Sequence, residues 1–127
     1  MREVVVLIGA GSIGQAIARR VGAGRQVVIA DLRVDAAESA ARTFRDAGFT
    51  VTAAQIDVSS RPSVEALASH AAALGPVLNV IHAAGVSPSQ APVATILAVD
   101  LYGTALVLEA FGREIASGGA GGIGKNL

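Results

Sequence analysis

The 127-residue sequence contains no cysteine and no tryptophan, only two histidines, and aromatic residues make up 3% of it. Without cysteine the chain has no disulfides, no thiolate nucleophile and no cysteine-based zinc or iron–sulfur site. With so few histidines we expect no bound metal either. Ten basic residues balance ten acidic ones, so the charge excess typical of proteins that bind nucleic acid or an anionic membrane is missing.

Long uninterrupted hydrophobic runs are also missing. The run Val4–Ile8 is too short for the core of a signal peptide. The longer stretch 93–111 carries Asp100 and Glu109, and a carboxylate at the centre of a membrane span costs about 2.5–3.5 kcal/mol. We therefore expect a cytoplasmic protein without a membrane span. Because 52% of the residues are hydrophobic, the chain can bury a core, and its length fits one domain or part of one.

Short β-branched runs alternate along the chain with alanine-rich stretches of helical spacing. In the first of these stretches Ile13, Ile17 and Val21 recur at steps of four, which predicts one buried helix face. The predicted strands are Glu3–Ile8, Val27–Ala30, Thr50–Ile56 and Val77–Ile81. The predicted helices are Ile13–Val21, Asp35–Ala47, a third that Ser60 or Ser63 caps and Gly75 ends, and Val93–Ala116.

This alternation predicts an α/β fold with a doubly wound parallel sheet of the Rossmann type. Parallel strands need a crossover helix, and right-handed crossovers place helices on both faces of the sheet. About four strands are expected in the order 3-2-1-4, with a crevice between strands one and four. The predicted domain covers residues 1–116 and is incomplete, and residues 117–127 form a glycine-rich tail.

The segment Gly9-Ala10-Gly11-Ser12-Ile13-Gly14 follows the first strand and opens the first helix. In this G-x-G-x-x-G pattern the first glycine permits a tight turn, the second lets the backbone approach a pyrophosphate, and the third lets helix and strand pack closely. Gly9, Gly11, Ser12, Ile13 and Gly14 are therefore candidates for holding a diphosphate at the positive end of the helix. The alternative is that the segment is only a tight turn.

Asp31 ends the second strand, about twenty residues beyond the glycine loop. A carboxylate at this place can accept hydrogen bonds from the ribose hydroxyls of a dinucleotide. Leu32 and Arg33 are assigned to the same part of the site. Asp31 favours NAD, because it would repel a 2′-phosphate, whereas the Arg33 guanidinium could hold that phosphate, so NADP stays open. Methyltransferases that use S-adenosylmethionine share the glycine loop and the acid and are a further alternative.

Three more segments carry a resemblance: Asp57-Val58, the strand end Ala83-Ala84-Gly85, and Asp100-Leu101-Tyr102-Gly103 in the long helix. In this order the sequence resembles the short-chain dehydrogenase/reductase family over residues 3 to about 116. The resemblance implies an oxidoreductase that moves a hydride between a nicotinamide cofactor and an alcohol or carbonyl substrate. It implies that Asp57 and Val58 flank the adenine and that Ala83, Ala84 and Gly85 line the second ribose.

The departures from the family pattern concern the loop and the chemistry. Ile8 stands where the family has threonine, and the loop is one residue shorter. His82 and Ala83 stand where the family has two asparagines, and we expect His82 to be bonded to backbone rather than to transfer protons. Asp100 occupies the position of the asparagine that helps to organise the catalytic lysine in the family, and aspartate cannot donate a hydrogen bond as asparagine does.

The Tyr-x-x-x-Lys pair of the family is absent from this sequence, whose only tyrosine is Tyr102 and whose only lysine is Lys125. No catalytic set is complete, and we expect the chain to be inactive alone, as a truncated or frame-shifted copy of a longer dehydrogenase. A non-catalytic nucleotide-binding module that regulates a partner is the alternative function. The fourth strand would then be an apolar edge, and we expect poor solubility or pairing of copies through this edge and the 93–116 helix.

Overall fold

The computed structural model describes residues 2–83 and 103–115. Within these ranges the chain alternates regularly between strands and helices. The strands are β1 (Val4–Ile8), β2 (Gln26–Asp31), β3 (Thr50–Gln55) and β4 (Val77–His82). The helices are α1 (Ser12–Val21), α2 (Val34–Asp46), α3 (Arg61–Leu74) and α4 (Gly103–Ile115).

The four strands form one parallel sheet in the order β3-β2-β1-β4, which confirms the predicted topology. β1 lies in the interior of the sheet and pairs with β2 through Val6 and Val28, and with β4 through Ile8 and His82. All five residues of β1 are fully buried. A continuous apolar run is what a parallel strand covered on both faces requires.

Alternate residues of β1 point to opposite faces of the sheet and enter two separate cores. Val4, Val6 and Ile8 pack with residues of α3 and α4, whereas Val5 and Leu7 pack with residues of α1 and α2. Helices therefore cover both faces of the sheet, as predicted. α3 lies against α4 on the first face, where Phe111 of α4 is fully buried.

The observed helix ends agree closely with the sequence signals. Ser60 is the N-cap of α3 and accepts a hydrogen bond from the Ser63 N–H through its Oγ, so the first of the two proposed caps is the right one. The Ser63 hydroxyl is used elsewhere and accepts from the Asp57 N–H at 2.9 Å. Pro62 lies in the first turn of α3, and Gly75 follows its last residue.

The predicted buried face of α1 is wrong for its first member, Ile13. Its side chain is 53% exposed, and the buried positions of the helix are Gly14 and Ala18. Ile17 and Val21 are partly buried against the core. The first turn of α1 lies so close to β1 that a glycine, and not a large side chain, faces the strand.

Several predictions lie outside the described residues. These are the placements of Ala84, Gly85, Asp100 and Tyr102, the first ten residues of the predicted 93–116 helix, and the tail 117–127. Of the helices in the described part of the chain, none has the length and apolar character needed to cross a membrane.

Candidate functional site

Four connections meet at the carboxyl edge of the sheet, because the carboxyl ends of parallel strands lie on the same side. The loop after β1 contains the glycine segment, β2 ends at Asp31, and Asp57 follows β3. β4 ends at His82, next to the end of β1. The strand order reverses between β1 and β4, and such a point is where open α/β sheets bind ligands.

The glycine loop leaves β1 through a conformation that only glycine adopts readily. Gly9 has φ of 100°, which lies in the left-handed region that disfavours residues with a Cβ. Its N–H donates to the Ala30 carbonyl of the neighbouring strand at 2.8 Å. The loop is therefore tied to β2 at its first residue.

Gly14 provides the close approach between α1 and the sheet. A Cβ added at this position would lie 2.8 Å from Leu7 Cδ1, 3.0 Å from Ala83 Cβ and 3.1 Å from the Gly9 carbonyl oxygen. These atoms belong to β1, to the residue after β4 and to the loop itself. Any side chain at position 14 would push the helix away from all three.

The first turn of α1 presents backbone donors at the carboxyl edge of the sheet. Gly11 is the N-cap residue, and the Gln15 N–H donates to its carbonyl at 3.0 Å. By helix geometry the N–H groups of Ser12, Ile13 and Gly14 have no acceptor within the helix. Unpaired N–H groups together with the positive end of the helix dipole favour an anion at this position.

The Asp31 carboxylate connects the glycine loop with the turn after β2. Its Oδ2 accepts a hydrogen bond from the Ala10 N–H at 2.8 Å, and its Oδ1 accepts from the Arg33 N–H at 3.0 Å. Each carboxylate oxygen can accept more than one hydrogen bond, so acceptor capacity remains for ribose hydroxyls. The sequence indicated Asp31 as a ribose ligand, but it gave no sign of the bond to Ala10.

Arg33 extends from the same turn and pairs with Asp35 in the first turn of α2. Their Nη2 and Oδ2 atoms are 2.8 Å apart, and both side chains are at least 70% exposed. The hydrogen bond from Arg33 lowers the pKa of Asp35 below its usual value. Leu32, between Asp31 and Arg33, is 62% exposed, so an apolar side chain is open to solvent beside this pair.

Asp57 and Val58 differ in their surroundings. Asp57 is exposed, and its Oδ1 accepts from the Ser59 N–H at 3.0 Å and from the Ser59 hydroxyl at 2.6 Å. Val58 is 8% exposed and belongs to the core that contains α3. The Gln55 side chain donates to the Leu32 carbonyl at 3.2 Å and thereby joins the ends of β2 and β3.

His82 and Ala83 close the site on the side of β4. His82 is 1% exposed, and the N–H of Ala83 donates to the Ile8 carbonyl at 2.7 Å. Ala83 therefore lies beside both the end of β1 and Gly14. His70, by contrast, lies on the exposed surface of α3.

The structure thus places ten of the thirteen predicted binding residues on this edge or in its first turns, and Ala84 and Gly85 lie outside the described residues. The remaining one, Val58, follows β3 but is buried. Gln15 and Asp35 were missed: the Gln15 side chain donates to the Ala10 carbonyl at 2.7 Å, and Asp35 holds Arg33. The sequence offered one signal for a role of Gln15, its position directly after the glycine pattern.

Comparison with protein families gives an independent result. The family model described as short chain dehydrogenase matches residues 3–125, which is nearly the whole chain. The matched range includes every predicted binding residue.

Two curated relatives carry names that describe dehydrogenases. A short-chain dehydrogenase/reductase of Alternaria brassicicola is 42% identical over 118 residues, which are 93% of this chain and 43% of that protein. A cis-4-hydroxycyclohexanecarboxylate dehydrogenase of Sinomonas cyclohexanicum is 36% identical over 132 aligned positions, 95% of this chain and 53% of that protein. The chain therefore spans about half the length of the curated relatives that it matches.

Solved structures agree with both the fold and the family. A short-chain dehydrogenase/reductase of Burkholderia phymatum in complex with NAD superposes with a TM-score of 0.81 at 27% identity, covering 98% of this chain and 48% of that one. A metagenomic short-chain oxidoreductase in complex with NADP superposes with a TM-score of 0.80 at 28% identity, covering 97% of this chain and 61% of that one. With its parallel sheet, its glycine loop and a family match over 3–125, the chain belongs to the short-chain dehydrogenase/reductase family.

Proposed function

We propose that this chain binds a nicotinamide dinucleotide, with NAD preferred over NADP, at the carboxyl edge of its sheet. The whole protein would be an oxidoreductase that transfers a hydride between the cofactor and an alcohol or carbonyl substrate. The observation that carries the proposal is the bond from the Ala10 N–H to Asp31 Oδ2, at 2.8 Å. It joins the two features that the binding of a dinucleotide requires, the glycine loop and the acid.

The diphosphate would lie over the first turn of α1. The residues proposed to hold it are Gly9, Gly11, Ser12, Ile13 and Gly14. Because Gly11 has no side chain, a ligand can approach the backbone of this turn, and Gly14 keeps the turn close to the sheet. The N–H groups of the first turn would donate to the phosphate oxygens.

The adenosine half would lie over the ends of β2 and β3. Asp31 would accept from the ribose hydroxyls, and Leu32, 62% exposed, offers an apolar surface to the adenine. Asp57 and Val58 would flank the ring. On the other side of α1, Ala83, Ala84 and Gly85 would line the second ribose, where small side chains allow close approach. We propose residues 1–116 as the unit that binds the cofactor.

The bound cofactor would supply the hydride chemistry, and the residues of this chain would bind and orient it. The sequence contains no Tyr-x-x-x-Lys segment, so we assign no proton transfer to the described residues. Asp100 stays the proposed counterpart of the family asparagine. The second candidate is a nucleotide-binding module that regulates a partner, and it would use the same cofactor-binding residues.

The preference for NAD is supported by the charges around the adenosine ribose. Arg33 is the cation that could hold a 2′-phosphate, but its guanidinium is already paired with Asp35 at 2.8 Å. Asp31 adds a second carboxylate to the same turn. Two carboxylates and one guanidinium present a net negative charge to a phosphate, whereas a ribose hydroxyl can donate to Asp31.

Replacing Asp35 by alanine is therefore expected to raise the affinity for NADP. Because the pair is exposed, the gain is modest, on the order of 2- to 5-fold, and the affinity for NAD should change less than twofold. Isothermal titration with both cofactors measures this. Glu38→Ala, which removes the same charge from the exposed surface of α2, is the control and should leave the ratio of the two affinities unchanged. An equal gain for both cofactors in Asp35→Ala would contradict the assignment of Arg33.

Titration of the chain with NAD, NADP and S-adenosylmethionine tests the proposed function itself. We expect binding of the two nicotinamide cofactors and none of S-adenosylmethionine, the ligand of the methyltransferases that share the loop and the acid. Failure to bind either cofactor would overturn the proposal. Turnover of a panel of alcohols by the full-length protein would separate the oxidoreductase from the regulatory module.

Copies of this chain are proposed to associate through β4 and α4. In the described sheet β4 pairs on one side only, with β1, and apolar edge strands promote pairing between chains. α4 buries Leu106, Val107 and Phe111, but leaves Leu108 55% exposed. Size-exclusion chromatography with light scattering should show dimers or larger species. A monodisperse monomer would contradict this prediction.

A further inference from the structure

Ala10 of the glycine loop is held by side chains through both of its backbone polar groups, its N–H in the Gly9–Ala10 peptide and its carbonyl in the Ala10–Gly11 peptide. On one side the Ala10 N–H donates to Asp31 Oδ2 at 2.8 Å, and on the other the Gln15 Nε2 donates to the Ala10 carbonyl at 2.7 Å. Gln15 also donates its backbone N–H to the Gly11 carbonyl at 3.0 Å. One residue of α1 therefore binds two successive carbonyls of the loop.

The direction of the Ala10 carbonyl decides what the loop presents to an anion. A peptide unit is planar and trans, so its C=O and the N–H of the following residue point in opposite directions. With the Ala10 carbonyl turned towards Gln15, the Gly11 N–H points away from that side chain. A flip of this peptide would exchange the two groups and place a carbonyl oxygen where an N–H stood.

A flip of this peptide changes ψ of Ala10 and φ of Gly11, and Gly11 has no Cβ to restrict its φ, so the flip is accessible unless a bond prevents it. A carbonyl oxygen facing a diphosphate would repel it, whereas an N–H would donate to it. The free energy difference between the two orientations therefore depends on bonds made by the carbonyl. Among the described residues, Gln15 makes such a bond: its Nε2 donates to the Ala10 carbonyl at 2.7 Å.

We propose that Gln15 is a positioning residue that keeps the Ala10–Gly11 peptide in the orientation that binds a diphosphate. This inference rests on the proposed function, because it assigns a role in the same site. Gln15 would not contact the cofactor itself. It would act through the Ala10 carbonyl, while Asp31 holds the preceding N–H and fixes the loop from the other side.

The test compares two glutamines that make the same kind of bond. Gln15→Met keeps the length of the side chain but removes the donor. Gln26→Met is the matched control, because Gln26 is also partly buried and donates to a backbone carbonyl, that of Val27 at 3.1 Å, but at the amino end of β2. The probes are NAD, which contains the diphosphate, and adenosine, which lacks it.

We expect Gln15→Met to raise the Kd for NAD on the order of 5- to 10-fold, as the loss of one hydrogen bond predicts. The Kd for adenosine should stay within twofold, because the flip does not reach its binding groups. Gln26→Met should leave both unchanged, and the two variants should melt at similar temperatures. Gln15→Glu, which places an acceptor opposite the Ala10 carbonyl, should bind NAD more weakly than Gln15→Met.

Each of the other possible results contradicts a different part of the proposal. If the unaltered chain binds NAD and Gln15→Met binds it within twofold, the role of Gln15 is wrong and the proposed function stands. If Gln15→Met loses NAD and adenosine equally, Gln15 supports the fold of the site and not the orientation of one peptide. If the unaltered chain binds neither NAD nor NADP, the proposed function and the role of Gln15 are both wrong.

Discussion

Replacing Asp31 by alanine is expected to weaken the binding of NAD about 100-fold. The carboxylate would accept charge-assisted hydrogen bonds from the ribose, and each such bond contributes about 1.5–3 kcal/mol. The substitution also removes the acceptor of the Ala10 N–H, so the glycine loop loses one of its bonds to β2, while the backbone bond from Gly9 to Ala30 stays. A tenfold change in affinity corresponds to about 1.4 kcal/mol, so the combined loss reaches two orders of magnitude.

Titration calorimetry with NAD measures this effect, and two variants separate its causes. Asp31→Asn retains one acceptor oxygen, so its Kd for NAD should lie between that of the native chain and that of Asp31→Ala. Glu38→Ala removes one negative charge from α2 without touching the loop and should bind NAD normally. A loss of less than threefold in Asp31→Ala would show that the adenosine ribose does not lie at the end of β2.

Replacing Gly14 by alanine is expected to destabilise the fold by about 1–3 kcal/mol. The added Cβ would lie within 3.1 Å of Leu7, Ala83 and the Gly9 carbonyl. Leu7 is fully buried, so its side chain has little room to move aside. Because α1 must shift outwards, the loop shifts with it, and the affinity for NAD should fall as well.

Gly112→Ala in α4 is the matched control, since a Cβ at Gly112 meets nothing within 4 Å. Alanine is favoured over glycine in a helix by up to about 1 kcal/mol, so this variant should be slightly more stable than the native chain. The two glycine-to-alanine changes are therefore expected to shift the free energy of unfolding, measured by urea denaturation, in opposite directions. Shifts in the same direction would mean that α1 is not packed as closely on β1 as the structure shows.

The fold could be predicted because its signals are local and repeated. Val4–Ile8 is apolar throughout, as a strand covered on both faces must be, and glycine or serine marks the ends of several helices. The strand order follows the doubly wound pattern, in which right-handed crossovers place helices on both faces of the sheet. Ile13 was the exception, because a spacing of four residues cannot tell which members of a helix face extend beyond the edge of the sheet.

The site was predicted less completely, because its side chains act across the fold. The separation between Gly9 and Asp31 pointed to a dinucleotide, but the bond from Ala10 to Asp31 spans 21 residues and depends on how β1 and β2 are aligned. The pairing of Arg33 with Asp35 is local, yet its orientation depends on where α2 begins.

By itself, the sequence determined the alternation of strands and helices, the place of the glycine loop and the family of the chain, because each of these follows from residue types at fixed separations. Only the tertiary structure decided which atoms the Asp31 carboxylate and the Gln15 amide contact. Hydrogen bonds depend on distances of a few tenths of an ångström, and those distances are set by the packing of α1 against the sheet.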